Sequence, residues 1–283
     1  MDASEPPSPT PGPSPKEPLR SKAVRGAMRW RAKRGALSRP LGPPPPVERD
    51  MDEPFASYWR RRIDQHHDDS WAGAPMAKFP EDLRVYQHLL WESRADAVVE
   101  LGTKWGGSLL WFRDQLRTFA SYGRLAREPR VIGVDLMTGH AEEILERTDP
   151  SWREQITLIE GDVRDPEIVK AVEAAIDPRA RALVVEDAAH TGEVTTAALE
   201  GLAHLVPAGG FLVVEDGHVD IEALHPDGPP MIRQLGVRSG GVISAIDAWL
   251  ETPEGSEFSL REDLELYGVS GHPHGYLQRR QVP

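Results

Sequence analysis

Acidic side chains stand at the ends of five short apolar segments, and each segment is typical of a buried strand. If these strands lie parallel in one sheet, their carboxyl ends share one edge and the acids converge there. Like charges so arranged raise one another's pKa unless cations or hydroxyl donors relieve them. The arrangement therefore predicts a polyhydroxylated, partly cationic ligand and a metal ion. The acids are Glu100, Asp135, Asp162, Glu186, Asp187, Glu215 and Asp216.

Helical segments separate the five strands, which predicts βαβ units and an α/β fold. Right-handed crossovers then give a doubly wound, mostly parallel sheet with helices on both faces. Residues 217–241 are rich in Gly, Pro and His and are predicted to form a loop, and 258–279 are predicted to form C-terminal antiparallel strands around a turn at 271–275. The predicted strands are 97–101, 131–134, 156–159, 182–185 and 211–214, and the predicted helices are 55–65, 78–94, 106–117, 140–147, 166–175, 192–205 and 242–250.

A glycine-rich turn follows the first strand, from Gly102 to Ser108. Its spacing is Gly-x-x-x-Gly-Gly, which differs from the Gly-x-Gly-x-x-Gly of dinucleotide-binding folds. A pyrophosphate would also be repelled by the neighbouring Glu100, so the turn favours a ligand without phosphate. Asp135, at the end of the second strand, suits a bidentate hydrogen bond to two ribose hydroxyls, and Asp162 could accept from an adenine amino group.

These motifs resemble the S-adenosyl-L-methionine (SAM) site of class I methyltransferases. The similarity is closer still to one branch, the cephalosporin hydroxylase-like family and the metal-dependent O-methyltransferases that modify sugars of macrolides and similar natural products. It spans about residues 55–280 and implies a Rossmann-like fold with SAM as cofactor. The segments that carry it are WAGAPMAKFP (71–80), VELGTKWGGS (99–108), EDAAH (186–190), VVED (213–216) and HGYL (274–277). The cofactor residues that it implies are Glu100, Gly102, Thr103, Ser108, Asp135 and Asp162.

The same resemblance implies a Mg²⁺ site and a general base. In the sugar O-methyltransferases, an Asp after the fourth strand and a Glu-Asp pair after the fifth bind Mg²⁺, and a His three residues beyond that Asp is the base. The corresponding residues are Asp187, Glu215, Asp216 and His190. Three carboxylates on adjacent strand ends also suit a hard octahedral cation on chemical grounds. A bound metal would lower the pKa of an alcohol, whose proton the histidine accepts.

Ala188 and Ala189 depart from this pattern, since some hydroxylase-like members carry a further acid between the Asp and the His. Glu186 directly precedes Asp187, and the alternation of side chains along a strand predicts that the two point apart. An Asp-x-x-His segment also fits a simple helix N-cap followed by a first-turn histidine. The Glu-Asp pair after the fifth strand favours the catalytic interpretation.

Several other side chains receive structural predictions. Lys78 is expected to be exposed, although the resemblance would allow it to line the SAM pocket. Trp111 is expected in the core, and the position of Trp105 stays open. Four histidines of the C-terminal part are expected in solvated loops or turns. They are His218, His225, His272 and His274.

Composition limits the classes of partner. The 283 residues contain no cysteine, which excludes disulfides, thiolate zinc sites and cysteine nucleophiles. Residues 1–50 hold 12 of the 26 prolines and a net charge of +5, which predicts a disordered, Pro-rich basic tail. The net charge of the whole chain is −12, so residues 51–283 carry −17. These residues are the predicted methyltransferase-like domain with its N-terminal helices. A domain this acidic is not expected to bind nucleic acid. No segment is long and apolar enough for a membrane span, and a cytoplasmic location is expected.

We therefore predict a SAM-dependent, Mg²⁺-assisted O-methyltransferase that acts on a hydroxyl of a small, glycosylated or polyketide-type metabolite. One alternative is a non-catalytic SAM-fold scaffold protein that uses the basic tail to recruit a partner. Another is an NAD-dependent oxidoreductase, but the chain lacks the glycine spacing and the Tyr-x-x-x-Lys pair of that class. The resemblance also suggests a homo-oligomer.

Overall fold

Seven strands form the central sheet in a computed structural model that describes residues 44, 46–48, 50–226 and 240–281. The described strands are β1 Ser70–Trp71, β2 Ala74–Pro75, β3 Ala97–Leu101, β4 Arg130–Asp135, β5 Ile156–Glu160, β6 Ala182–Glu186, β7 Phe211–Val214, β8 Phe258–Leu260 and β9 Tyr276–Arg279. The order in the sheet is β5-β4-β3-β6-β7-β9-β8, and β1 and β2 form a separate hairpin. Strands β3 to β7 are parallel, whereas β9 runs antiparallel to both of its neighbours. The carboxyl ends of five consecutive strands therefore face the same edge.

The α-helices between the strands cover the sheet on both sides. The longest described helix has 15 residues. No described helix has the length and apolar character needed to cross a membrane. The described helices are α1 Phe55–Arg62, α2 Pro80–Ser93, α3 Gly107–Ser121, α4 Gly139–Thr148, α5 Pro166–Ala175, α6 Gly192–Leu202, α7 His218–Leu224 and α8 Val242–Leu250.

Burial of the central strands explains their continuous apolar sequences. Every residue of β3, β6 and β7 is buried, because helices pack on both faces of these strands. The main core cluster combines strand residues such as Val99 and Val184 with helix residues such as Leu199 and Ile246. Polar side chains are therefore concentrated at the strand ends, where the glycine turn and the acids lie.

The predicted doubly wound α/β fold is confirmed, and the five predicted parallel strands agree with β3 to β7 within one residue at each end. The predicted antiparallel pair at the C-terminal side is also confirmed, by β8 and β9. Their connection spans 261–275 instead of the predicted turn at 271–275, because a 3₁₀ helix at Glu262–Leu264 extends it.

The predicted loop at 217–241 is wrong at its start, where α7 forms. Val219 of this helix packs into a small apolar cluster with Trp59, Ile63 and Phe79, and this burial stabilises the helix. Residues 227–239 of the same predicted loop lie outside the described residues. The predicted tail, 1–50, also lies outside them except for positions 44, 46–48 and 50.

Candidate functional site

The ends of β3, β6 and β7 meet at one edge of the sheet. Backbone hydrogen bonds continue the parallel ladder there, since Asp187 N–H donates to Leu101 C=O at 2.9 Å and Glu215 N–H donates to Glu186 C=O at 2.8 Å. Gly102 has φ +91°, and a Cβ at this position would lie only 1.9 Å from the Asp187 carbonyl oxygen. The glycine turn and the acid that follows β6 are therefore in direct backbone contact, which brings the predicted cofactor and metal residues together.

Lys78 lies at the centre of the acid cluster. Its Nζ is 2.5 Å from Glu215 Oε1, 2.7 Å from Asp187 Oδ2 and 3.0 Å from Glu100 Oε1. The side chain is only 2% exposed, so the expectation that this lysine is exposed is wrong. The reason is that three carboxylates surround the buried ammonium with counter-charges, without which burial of a lysine is very costly.

The protonation of this cluster follows from burial and proximity. Burial alone would lower the pKa of Lys78, but Asp187, Glu215 and Glu100 outweigh it and hold the pKa well above its usual value. Burial raises the pKa of Glu100 and of Glu215. Tyr86 OH donates to Glu215 Oε1 at 2.6 Å, and burial together with Glu215 raises the pKa of this phenol. Lys78 and Tyr86 are therefore permanent donors to one oxygen of Glu215.

Replacing Lys78 with methionine is expected to lower the free energy of unfolding by about 3–5 kcal/mol, because the buried Glu100 and Glu215 and the half-buried Asp187 lose their common cation. Urea denaturation of both proteins measures the difference. Lys170→Met is the control, since Lys170 forms a surface pair with Glu167 at 2.7 Å and its loss should change the free energy by less than about 1 kcal/mol. Equally small effects of the two substitutions would contradict the central role of Lys78.

Asp216, at the end of the same strand as Glu215, is surrounded by imidazoles. His190 Nε2 lies 3.1 Å from Asp216 Oδ2, and His218 Nδ1 lies 3.5 Å from Asp216 Oδ1. Asp216 N–H donates to His272 Nδ1 at 3.2 Å. Asp216 and His190 both have left-handed backbones, with φ of 61° and 52°. Such strained residues concentrate at functional sites, so this geometry supports a chemical role for the pair.

The charges of Asp216 and His190 stabilise each other. Burial alone would raise the pKa of Asp216, but His190 and His218 outweigh it and hold the pKa well below its usual value. Burial alone would lower the pKa of His190, but Asp216 and then Asp187 outweigh it and raise the pKa. His190 Nδ1 is buried and has no hydrogen-bond partner among the described residues. The geometry is that of a general base backed by a carboxylate.

Two sets of three candidate metal ligands share Asp187, and within each set the ligand atoms lie within 4.8 Å of one another. Lys78 contacts all three members of one set, but only Asp187 of the other. The set with fewer lysine contacts offers carboxylate oxygens and one imidazole nitrogen, which suit a divalent cation. The sets are Glu100, Asp187 and Glu215, and Asp187, His190 and Asp216.

The three predicted metal ligands thus converge around Asp187, although their surroundings differ. Glu215 is buried, with one oxygen bound by Lys78 and Tyr86, whereas Asp216 and Asp187 are each 19% exposed at the side chain. A cation that enters from solvent therefore meets the two aspartates before the glutamate.

Asp135 is oriented by the backbone of the glycine turn. Its Oδ2 accepts from Lys104 N–H at 2.9 Å, and its Oδ1 accepts from Met137 N–H at 3.0 Å. Thr103 Oγ1 is 3.5 Å from Asp135 Oδ2. Asp135 itself remains half-buried, so its carboxylate is fixed at the end of β4 beside the turn.

The other predicted cofactor residues have different surroundings. Glu100 is completely buried and accepts from Ser108 Oγ at 2.7 Å, so it supports the turn from inside the protein. Asp162 is paired with Arg164, whose Nη2 lies 2.6 Å from Asp162 Oδ2 and whose Nη1 lies 2.7 Å from Glu193 Oε1. The structure therefore brings Glu100 into the lysine cluster and leaves Asp162 in an arginine pair near the surface.

The predictions for Glu186 and Trp111 agree with the structure. Glu186 Oε2 accepts from Thr195 Oγ1 at 3.1 Å, and Glu186 belongs to neither set of candidate ligands. Trp111 is buried in the core. Trp105 is half-buried beneath Lys104, whose Nζ lies 4.4 Å from the ring centroid.

Two histidines that the sequence places in solvated segments are buried instead. His218 Nδ1 pairs with Gly271 C=O at 2.9 Å, and His272 is completely buried. Both rings satisfy backbone groups, which makes their burial favourable. His225 and His274 are half-buried, and His274 pairs with Asp247.

Comparison with known proteins identifies the family of the chain. The family model described as Rhamnosyl O-methyltransferase/CmcI matches residues 64–280. The chain belongs to this family. The resemblance to class I methyltransferases of the cephalosporin hydroxylase-like branch is thereby confirmed, together with the enzyme class of SAM-dependent O-methyltransferase. The oxidoreductase alternative has no support.

Curated relatives and a solved structure are similar to the chain over most of its length. Rhamnosyl O-methyltransferase of Mycobacterium leprae (strain TN) is 25% identical over 214 residues, which are 75% of this chain and 83% of the relative. The enzyme of the same name from Mycobacterium tuberculosis (strain ATCC 25618 / H37Rv) is 25% identical over 205 residues, 71% and 74% of the two chains. A structure of CmcI with Mg and SAM has a TM-score of 0.56 at 24% identity and covers 89% of this chain and 94% of that one. The two proteins share the fold.

Proposed function

We propose that the chain transfers a methyl group from SAM to a hydroxyl of a sugar-bearing or polyketide-type small molecule, with Mg²⁺ bound beside the acceptor. The observation that carries the proposal is the backbone contact between Gly102 and Asp187, because it joins the cofactor turn to the metal acids. The matching family is described as Rhamnosyl O-methyltransferase/CmcI, and the CmcI neighbour was solved with Mg and SAM. Both support SAM and Mg²⁺ as cofactors.

Asp187, Glu215 and Asp216 would hold the Mg²⁺ ion. Lys78 contacts Asp187 Oδ2 and Glu215 Oε1, so Asp187 Oδ1 and Glu215 Oε2, which lies 3.6 Å from His272 Nε2, would be the oxygens that bind a cation. When bound, the ion would lower the pKa of the acceptor hydroxyl and SAM would supply the methyl group.

The glycine turn would hold SAM. Asp135 is fixed at the end of β4 and would accept from the two ribose hydroxyls. Gly102, Thr103 and Ser108 would shape the turn, with Glu100 supporting it through Ser108. Asp162 would bind the adenine amino group.

His190 would accept the proton of the acceptor hydroxyl. Its Nε2 lies 3.1 Å from Asp216 Oδ2, so this carboxylate orients the ring. Asp216 then stabilises the imidazolium that forms, and the fixed backbone of both residues holds the base in place.

The names of the relatives support a sugar hydroxyl as the acceptor. The curated relatives carry the name rhamnosyl O-methyltransferase, so a rhamnosyl hydroxyl is the first acceptor to test. Assembly into a homo-oligomer stays a prediction.

Titration calorimetry with SAM tests the cofactor site. Asp135→Ala is expected to weaken SAM binding about 10- to 100-fold, because hydrogen bonds to a charged carboxylate contribute about 1.5–3 kcal/mol. Asp177→Ala, which removes a surface carboxylate paired with Arg179, is the control and should bind as the wild type does. Absence of binding to the wild type would overturn the SAM assignment, and unchanged binding to the Asp135 variant would remove this residue from the site.

A further inference from the structure

His272 lies between helix α2 and the two acids that follow β7, Glu215 and Asp216. The side chain is completely buried. Its Nδ1 accepts from Asp216 N–H at 3.2 Å. Its Nε2 lies 3.6 Å from Glu215 Oε2 and 3.6 Å from Asp82 Oδ2, and has no closer hydrogen-bond partner among the described residues. One imidazole therefore faces both members of the Glu-Asp pair.

The hydrogen bond at Nδ1 determines the tautomer of His272. Because Nδ1 accepts from a backbone N–H, the nitrogen that carries the ring proton is Nε2. The Nε2–H group is thus a buried donor directed between the carboxylates of Glu215 and Asp82. A single rigid ring therefore accepts from the backbone of Asp216 and directs its other nitrogen toward the side chain of Glu215, 3.6 Å away.

Asp82 anchors the segment that carries His272. Its Oδ1 accepts from Ser270 Oγ and from Tyr276 OH, each at 2.7 Å, and its Oδ2 accepts from Gly271 N–H at 2.7 Å. His272 N–H in turn donates to Ser270 Oγ at 2.9 Å. Asp82 is 1% exposed, so these bonds are shielded from water and hold the segment firmly against helix α2.

Helix α2 also contacts Glu215 directly. Tyr86 lies one turn beyond Asp82 on the same face of the helix and donates to Glu215 Oε1. The first two turns of α2 therefore support Glu215 through Tyr86 and Asp216 through Asp82 and His272.

We propose that His272 is a positioning residue for the divalent cation, anchored by Asp82. It holds the backbone of Asp216 in its left-handed conformation beside Glu215. The inference rests on the proposed function, since it concerns the same metal site. Groups that orient metal ligands typically change metal affinity 10- to 100-fold when they are removed.

Titration of the full-length protein with Mn²⁺, followed by electron paramagnetic resonance of the free ion, tests this role. His272→Leu is expected to weaken Mn²⁺ binding about 10- to 100-fold. His272→Asn places an amide oxygen where Nδ1 accepts from Asp216, so it should keep most of the affinity. His274→Leu is the matched control in the same segment and should bind Mn²⁺ as the wild type does, because its ring pairs with Asp247 instead.

The outcomes separate the inference from the proposed function. Wild-type binding of Mn²⁺ with equal binding by His272→Leu overturns the positioning role and leaves the metal site in place. Equal losses in the Asn and Leu variants also overturn it, because a merely structural ring would not be rescued by one acceptor. Absence of Mn²⁺ binding by the wild type overturns the metal site and the positioning role together, while SAM calorimetry reports the cofactor site separately. If His272→Leu does not fold, the Mn²⁺ affinity of His272→Asn tests the proposal instead. A tenfold loss of Mn²⁺ affinity in this variant contradicts the proposal.

Discussion

Replacing Asp187 with asparagine is expected to lower the rate of S-adenosylhomocysteine formation by about three orders of magnitude. Asp187 belongs to both sets of candidate ligands, so its charge is central to cation binding. Stabilisation of a developing alkoxide by a metal contributes several kcal/mol, and each 1.4 kcal/mol is a factor of ten in rate. Initial rates with a rhamnosyl acceptor, saturating SAM and increasing Mg²⁺ measure the effect.

Two controls make the result specific to the metal. Glu167→Gln removes an exposed carboxylate of helix α5 and should leave the rate unchanged. Wild-type protein treated with EDTA should fall to the rate of the Asp187 variant and recover when Mg²⁺ is added. A wild type that is fully active in EDTA would exclude the metal role, and SAM binding without product from any acceptor would favour the scaffold alternative.

Gly102→Ala is expected to lower the free energy of unfolding by about 3 kcal/mol or more and to weaken SAM binding. The new Cβ would lie 1.9 Å from the Asp187 carbonyl oxygen and 2.6 Å from its carbon, which are backbone atoms that cannot rotate away. The positive φ of this residue adds conformational strain for any side chain. The ends of β3 and β6 must therefore move apart, and the turn moves with them. Urea denaturation and SAM calorimetry of the variant report the two effects.

The Gly123→Ala variant measures the cost of a side chain at positive φ without a steric clash. Gly123 has φ +69°, but a Cβ there would meet no atom within 4 Å. Its replacement should therefore cost only the backbone strain of about 1–2 kcal/mol and leave SAM binding unchanged. If the two alanine variants lose the same stability, the close approach of Gly102 to Asp187 is not a constraint on the fold.

The sheet and its row of acids follow from local sequence. Residues 97–101 are apolar except for Glu100, because helices cover both faces of β3, and a pattern of this kind can be recognised within a few residues. An acid just after such a run is then placed at the edge by topology alone, as the contact of Asp187 with the end of β3 shows.

Burial of single polar residues does not follow from local sequence. Lys78 contacts Asp187 and Glu215, which are 109 and 137 residues away along the chain, and only the folded sheet brings the three together. His272 is buried for the same reason, since its partner Asp216 lies 56 residues away. One signal was present, because Lys78, Asp82 and Tyr86 are spaced by four residues, as on one face of a helix.

The position of β9 has a consequence for biosynthesis. This strand inserts between β7 and β8, although it is translated after both of them. A nascent chain that has emerged from the ribosome only as far as β8 leaves one edge of β7 open, and open strand edges promote association between chains. In the same nascent chain, residues 270–279 have not yet left the ribosome. The imidazole of His272, which accepts from Asp216 N–H, is therefore still missing from the fold. With the proposed role of His272, the ability to bind a cation and the protection of the open edge are therefore acquired in a single late step of synthesis.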